Sequence, residues 1–264
     1  MNPPTPFSVR PVALVTGASR GIGRAIALGL ARAGFAVVVN YSASEAAARE
    51  VCESIVAAGG TAVAVGADVS QSLDRKKLIA ATIEAYGRLD LLVNNAAITS
   101  PGRLDLLAAT EENWDRVFAL NLKGPFFLSQ AAVARMLPLI HSGKISGAKI
   151  INISSISAFA ISTDRADYCL TKAALGMMTG LFAARLADEK IQVFEVCPGL
   201  IATDMTASVQ AKYDRQIAEG LMPMRRWGAP EDVAQAVVAI ATDAFPFSTG
   251  ERIHVDGGFH LRRL

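Results

Sequence analysis

The chain predicts an α/β fold, a doubly wound parallel sheet of about seven strands in a single domain. Three observations predict it. Short runs such as "AVVVN" and "AKIINIS" are β-branched and almost wholly apolar, as strands covered on both faces must be. Those runs alternate with longer stretches of helical pattern, which is the signature of βαβ units. The first run leads directly into a glycine cluster, "TGASRGIG".

The elements follow in order. "PVALVTG" is the first buried strand, and "GRAIALGLARAG" is the helix after it. "AVVVN" is strand two, followed by a helix, "SEAAAREVCESIVAAGG", that glycines close. "TAVAVGADV" is strand three, and Ser70 caps the next helix, "SLDRKKLIAATIEAYG". "LDLLVNNAA" is strand four. A long helical stretch then runs from about Glu111 to Leu139. "AKIINISS" is strand five, "ADYCLTKAALGMMTGLFAARLADE" a helix, and "IQVFEVCPG" strand six. "PEDVAQAVVAIATD" is a helix with Pro230 at its start, where the missing N–H costs nothing. "GERIHVDGG" is the last short strand. No linker rich in Gly, Ser and Pro divides the chain, and no repeat is visible. Residues 1–10, "MNPPTPFSVR", read as a flexible tail, and 11–264 as one domain.

Composition narrows the function classes. The chain has 264 residues, of which 52% are hydrophobic, ample for a large core. A formal net charge of +2 without charge runs argues against nucleic acid or acidic polymers as partners. Cys52, Cys169 and Cys197 are scattered, with no C-x-x-C. That argues against a disulfide framework or zinc site and suits a reducing compartment. Cys169 reads as a packing residue or an exposed thiol. No metal-ligand cluster is evident. The tail lacks a signal peptide's apolar core, and no apolar run approaches the length of a membrane span. The expectation is a soluble cytoplasmic protein with no membrane partner.

In "TGASRGIGRA", Gly17, Gly21 and Gly23 lie between a strand and a helix. Such glycines allow a tight turn and close backbone approach to a pyrophosphate, which the helix N-terminus attracts. This predicts dinucleotide binding, with Ser19, Arg20 and Ile22 in the same turn. An acid at the end of strand two would hold a ribose 2′-hydroxyl. Here the chain reads Asn40, Tyr41, Ser42. The missing carboxylate, together with Arg20 as a partner for a 2′-phosphate, favours NADP(H) over NAD(H).

Further along, "DYCLTK" places Tyr168 four residues before Lys172, on one helix face. Carbonyl reduction needs a hydride from nicotinamide and a proton from the protein. A free phenol, with a pKa of about 10, is a poor acid–base group at neutral pH. A neighbouring ammonium and a positive nicotinamide ring would bring it nearer the working pH. Lys172 is thus expected to lower the Tyr168 pKa, and it can also hold the nicotinamide ribose. Ser155, or its neighbour Ser154, could hydrogen-bond the substrate oxygen. Asn121 is a polar interruption of the apolar "FALNLKG".

These motifs, in this order, resemble the short-chain dehydrogenase/reductase family, whose fold is Rossmann-like. The resemblance covers nearly the whole chain: "TGASRGIG", "LLVNNAAI", "NISS", "YCLTK", "CPGLIATDMT" and "TGERIHVDGG". It implies a catalytic set of Asn121, Ser155, Tyr168 and Lys172, with Asn121 holding a water in a relay to the lysine. It also implies cofactor contacts from Asp68 and Val69 to adenine, from Asn95 and Ala96 beside the turn, and from Pro198, Gly199, Ile201 and Thr203 near the carboxamide. Asp68 read on its own is equally a helix cap. Residues from about 203 to 226 match the family's mobile lid, where Met205, Val209, Tyr213, Leu221 and Met222 either contact an apolar substrate or pack on the body.

Among family members the chain is most similar to 3-oxoacyl-[acyl-carrier-protein] reductases of fatty acid biosynthesis, through "TGASRGIGRAIA", "NLKGPFF" and "PMRRWGAPEDVA". This implies an acyl thioester substrate, an acyl carrier protein partner and a homotetramer. The chain departs from that pattern at Ala97, in the loop "HSGKISGAK", at Glu189-Lys190 and in "STDRADY". A dehydrogenase of a polyol, sugar or other small alcohol is the alternative. A dinucleotide-binding regulator without turnover is the alternative from another class; such proteins lose the tyrosine or lysine.

Overall fold

The computed structural model describes residues 9–207 and 209–262; most of the expected tail lies outside them. Seven strands form one wholly parallel sheet in the order β3-β2-β1-β4-β5-β6-β7. They are β1 (Val12–Val15), β2 (Ala36–Tyr41), β3 (Thr61–Gly66), β4 (Leu91–Asn94), β5 (Ala148–Ile153), β6 (Ile191–Pro198) and β7 (Arg252–Val255). The chain winds outward from β1 in one direction, then restarts at β4 in the other. The strand order therefore reverses between β1 and β4, and ligands of such sheets bind at the carboxyl ends of the strands there.

Helices cover both faces. On one face α1 (Gly21–Arg32), α2 (Glu45–Ala57) and α9 (Pro230–Ala241) bury Ile26, Leu30, Val51, Ile55, Val233 and Val237 against the strands. On the other, α3 (Ser72–Tyr86), α4 (Glu111–Phe118), α5 (Gly124–His141) and α6 (Ala166–Leu186) contribute Leu78, Leu128, Ala132, Met136 and Leu186. Two short helices, α7 (Asp204–Ala207) and α8 (Gln210–Ala218), follow β6. Covering both faces explains why the strand sequences read as continuous apolar runs.

Two local expectations change. Ser70 does not cap α3, which begins at Ser72 after Gln71. Two carboxylates organise that turn instead: Asp68 accepts from the Ser70 N–H at 2.9 Å, and Asp74 accepts from the Asp68 N–H at 2.8 Å. The Ser70 hydroxyl is left to accept from the Gln71 side chain. The expected Glu111–Leu139 helix is continuous to His141, but a π-helical segment, Ala119–Lys123, separates α4 from α5. By length and composition this 31-residue run could cross a membrane. Its apolar character is explained by its place on the sheet, where Leu128, Ala132 and Met136 are fully buried.

A buried polar chain joins sheet to helices. Asn94 and Asn152 are register partners on β4 and β5. The Asn94 amide donates to Asn152 Oδ1 and to Ser129 Oγ on α5, both at 2.9 Å, and the Asn152 amide donates to Thr179 Oγ1 on α6 at 2.9 Å. An Asn152→Leu substitution leaves the Asn94 amide and the Thr179 hydroxyl buried with fewer partners. It is expected to destabilise the fold by about 2–3 kcal/mol, read as a lower urea midpoint at unchanged slope.

Candidate active site

The turn after β1 is a knot of backbone and short side chains. Thr16 Oγ1 accepts from the N–H groups of Asn95 and Ala96 at 2.9 and 3.0 Å. The Asn95 amide donates to the carbonyls of Thr16 and Gly17 at 2.9 and 3.1 Å. Gly17 takes φ of +61°, a backbone region that side chains disfavour. A Cβ on Gly23 would lie 2.2 Å from the Gly17 carbonyl oxygen, so only glycine lets α1 begin this close to the turn. Helix α1 starts with no side-chain cap. Its first N–H groups and positive end are available to an anion. These features fit the pyrophosphate of a dinucleotide.

The proton-handling groups converge two strands further along the same edge, at the end of β5. Ser155 follows β5, where its hydroxyl accepts from the Ser157 N–H at 3.1 Å and lies close enough to the Tyr168 phenol to oppose the rise of its pKa. Ser154 faces away, its hydroxyl donating to the Val196 carbonyl at 3.4 Å. Of the two serines, Ser155 is the one beside the phenol. Lys172 is 3% exposed and donates to the Ile153 carbonyl at 2.9 Å, with its Nζ 5.5 Å from the centre of the Tyr168 ring. Asn121 sits in the π-helical segment, fully buried. Its side chain accepts from the Ile98 N–H and donates to the Ile98 carbonyl, both at 2.9 Å, and reaches Thr171 Oγ1 at 3.4 Å. That segment, of a kind frequent at functional sites, thereby fixes the loop after β4 against the helix that carries Tyr168.

Residues 17–260 match a family model described as enoyl-(acyl carrier protein) reductase. The chain is 42% identical over 248 residues to a 3-oxoacyl-[acyl-carrier-protein] reductase of Synechocystis, covering 94% of this chain and 96% of that one. Among solved structures, a 3-oxoacyl-[acyl-carrier protein] reductase from Brucella melitensis in complex with NAD superposes with a TM-score of 0.91 at 41% identity, covering 97% and 99% of the two chains. The angucycline C-6 ketoreductase LanV with bound NADP gives a TM-score of 0.84 at 35% identity, covering 94% and 95%. The chain belongs to the short-chain dehydrogenase/reductase family. It is an NAD(P)-dependent oxidoreductase.

In this short-chain dehydrogenase/reductase the remaining expected site residues divide into two groups. Thr203 comes to the glycine turn: its Cγ2 lies 3.6 Å from where a Gly21 Cβ would be. Arg20 is exposed beside it, 4.0 Å from Asp204. Ser19, Ile22, Ala96 and Gly199 are partly exposed along the same cleft, whereas Pro198 is buried at the end of β6. Ile201 is buried and bridges to Gly228. The others serve the frame. Asn40 is 2% exposed; its amide donates to the carbonyls of Tyr41, Val65 and Ala67, and its Oδ1 accepts from the Gly17 N–H. It shapes the turn from behind. Tyr41 packs its ring over Gly66, and Ser42 is exposed. Val69 is buried, and its carbonyl accepts from Arg75 at 2.7 Å, which holds the Asp68 loop in place.

Residues of the expected lid split likewise. Met222 is buried with Ile156, Leu200 and Ile217, and Tyr213 and Leu221 pack against them. Val209 is partly buried. Met205 is 45% exposed.

The expected depression of the Tyr168 pKa by Lys172 is not what the geometry produces. Burial holds the phenol above its ordinary value; the Ser155 hydrogen bond and the charge of Arg165 oppose that rise. Lys172 is itself pushed down to about 8 by burial, so it keeps most of its charge at neutral pH but gives it up more readily than an exposed lysine. Arg165, whose guanidinium lies 5.7 Å from the Tyr168 ring centre, had no motif to announce it; its place at the start of α6 was the only signal. The turn after β7 gathers His254, Asp256 and His260, a grouping that no local motif announced.

The depressed Lys172 pKa has a consequence for stability. Between about 8 and 10.5 the unfolded chain keeps a proton that the folded chain has released. Stability therefore rises with pH through that window. Relative to Lys172→Met, the wild type is expected to gain about 3 kcal/mol across it, measured by urea unfolding at either end.

Proposed function

We propose that this short-chain dehydrogenase/reductase reduces a 3-oxoacyl thioester with NADPH. The observation that carries the reading is the meeting of Ser155, Tyr168 and buried Lys172 at the strand ends beside the glycine turn. Two hydroxyls directed at one place suit a carbonyl oxygen, which needs a proton and a hydrogen bond together. In this reading Tyr168 delivers the proton to the oxygen, and Ser155 donates a hydrogen bond to it as charge develops. Lys172, tied to Ile153, replenishes the proton, and Asn121 keeps the surrounding loop in register. A bound nicotinamide supplies the hydride. Gly17, Ser19, Gly21, Ile22 and Gly23 hold the pyrophosphate, with Asn95, Ala96 and Thr203 lining the cleft beyond it.

The preference for NADPH rests on Arg20, which is exposed at the turn, and on the absence of a carboxylate from Asn40 to Ser42. The thioester rests on likeness to the Synechocystis and Brucella reductases. For a carrier-protein partner, the acid at Glu189 is less adverse than it reads in sequence. It pairs with His141 at 3.0 Å and Arg185 at 3.6 Å, so its charge is answered locally. Three free cysteines fit a cytoplasmic site of action.

The test is NADPH oxidation with acetoacetyl-CoA. Wild type is expected to turn over faster with NADPH than with NADH, and Tyr168→Phe to lose about 10³-fold in kcat while still binding NADPH. No turnover of the thioester, alongside oxidation of a polyol or sugar, would replace this substrate with the small-alcohol alternative. Exposed Met177 (69%) and Leu181 (58%) on α6, beside Phe126 (37%) on α5, favour a homotetramer assembled through these helices. Light scattering is expected to give a mass four times that of the chain; a monomer would end that proposal.

A further inference from the structure

Among the described residues, His254, Asp256 and His260 form a group of three metal-ligating side chains whose donor atoms all lie within 4.8 Å of one another. The group lies at the end of β7, and none of its members is assigned above to proton transfer. Folding creates it. His254 is on the strand, Asp256 opens the turn, and Gly257 and Gly258, at φ of +64° and +82°, reverse the chain so that His260 returns over His254. The two imidazoles stack with centroids 4.2 Å apart.

Three features distinguish this group from an ordinary histidine–carboxylate pair. Asp256 is 5% exposed, and among the described residues its ion-pair partners are the two histidines, with Nδ1 atoms at 3.7 Å (His254) and 2.9 Å (His260) from Oδ2. His254 Nδ1 is a buried nitrogen with no hydrogen-bond partner, which a folded protein does not leave without cause. The carboxylate is also held in orientation from behind, accepting from the N–H groups of Gly258 at 2.9 Å and His260 at 3.0 Å. Outer contacts of this sort fix a ligating group in its pose. The edge of Phe159, 5.5 Å from the His254 ring centre, shields one side.

We propose that His254 Nδ1, the Asp256 carboxylate and His260 Nδ1 bind one divalent transition-metal ion. Two imidazoles and one carboxylate select zinc, cobalt or nickel over magnesium or calcium, which prefer all-oxygen shells. Metal–ligand distances of about 2.0–2.2 Å are compatible with donor atoms separated by 2.9 and 3.7 Å, once the stacked rings turn so that both Nδ1 lone pairs face the ion. The proton that His260 now shares with Asp256 is displaced on binding. The ion would act as a staple. Asp256 Cα lies only 2.6 Å from where a Gly199 Cβ would stand, and Gly257 accepts from the Met224 N–H at 3.0 Å. Metal would thus tie the C-terminal turn both to the end of β6 and to the segment returning from α8.

The experiment is calorimetric titration of the EDTA-treated, desalted full-length protein with Zn²⁺, repeated with Co²⁺ and followed by visible absorbance. His141 is the only other histidine, so background sites are few. One ion per chain is expected, with a higher Tm at saturation. His260→Asn keeps an amide that can hydrogen-bond Asp256 but removes the imidazole ligand. It is expected to match wild type in Tm without metal and to weaken Zn²⁺ binding at least tenfold; His254→Gln should do likewise, and His141→Ala should bind as wild type does. Absence of saturable binding, or binding that survives unchanged in both the His254 and His260 variants, overturns the proposal.

Discussion

Two asparagines at the middle of the sheet, Asn94 and Asn152, hold helices to strands at the place where everything else is assembled. Most of the core on that face is apolar, and apolar contact is non-directional. It would let α5 and α6 slide along the sheet at little cost. Hydrogen bonds from these amides to Ser129 and Thr179 fix both helices along the strand axis, because a buried amide or hydroxyl without a partner is costly. That register carries directly into the site. The π-helical segment with Asn121 leads into α5, and α6 bears Tyr168 and Lys172 two to three turns before Thr179. The positions of the chemical groups are consequences of a polar anchor that takes no part in the chemistry.

Burial sets the electrostatics of that site more than any single neighbour does. Tyr168 and Lys172 are both nearly sealed from water, and desolvation moves each toward its neutral form. A neutral phenol beside an amine whose pKa lies near 8 is placed to exchange protons close to neutral pH. The Ser155 hydrogen bond and the Arg165 charge act against burial at the tyrosine. Its proton affinity is therefore a balance that a ligand's own charge can shift.

The glycine turn shows the same dependence on neighbours. Its backbone is held by Thr16, Asn95 and Asn40, which come from three different strand ends. Asn40 and Asn95 were expected to contact the cofactor, yet their side chains spend their hydrogen bonds on the protein. They preorganise the turn rather than present donors to a ligand. Sequence position alone cannot separate these roles, since a residue behind the turn and one in front of it occupy the same place in a motif.

The sequence by itself determined the strand and helix order, the parallel sheet, the glycine turn and the Tyr168–Lys172 pair. Each of these is local, encoded by hydropathy period, by glycine where a side chain has no room, or by a four-residue spacing on one helix face. Only the tertiary structure decided the rest. It set Ser155, not Ser154, beside the phenol, because strand direction turns one hydroxyl toward Tyr168 and the other toward Val196. It put Asp68 and Asp74 in place of Ser70 at the start of α3, because two carboxylates compete better for the N–H groups than one hydroxyl does. It brought Arg165 over the tyrosine ring and folded His260 back onto His254. Those outcomes depend on where distant or reversed segments meet, and on how much water is excluded when they do. Neither quantity is written in any short stretch of the chain.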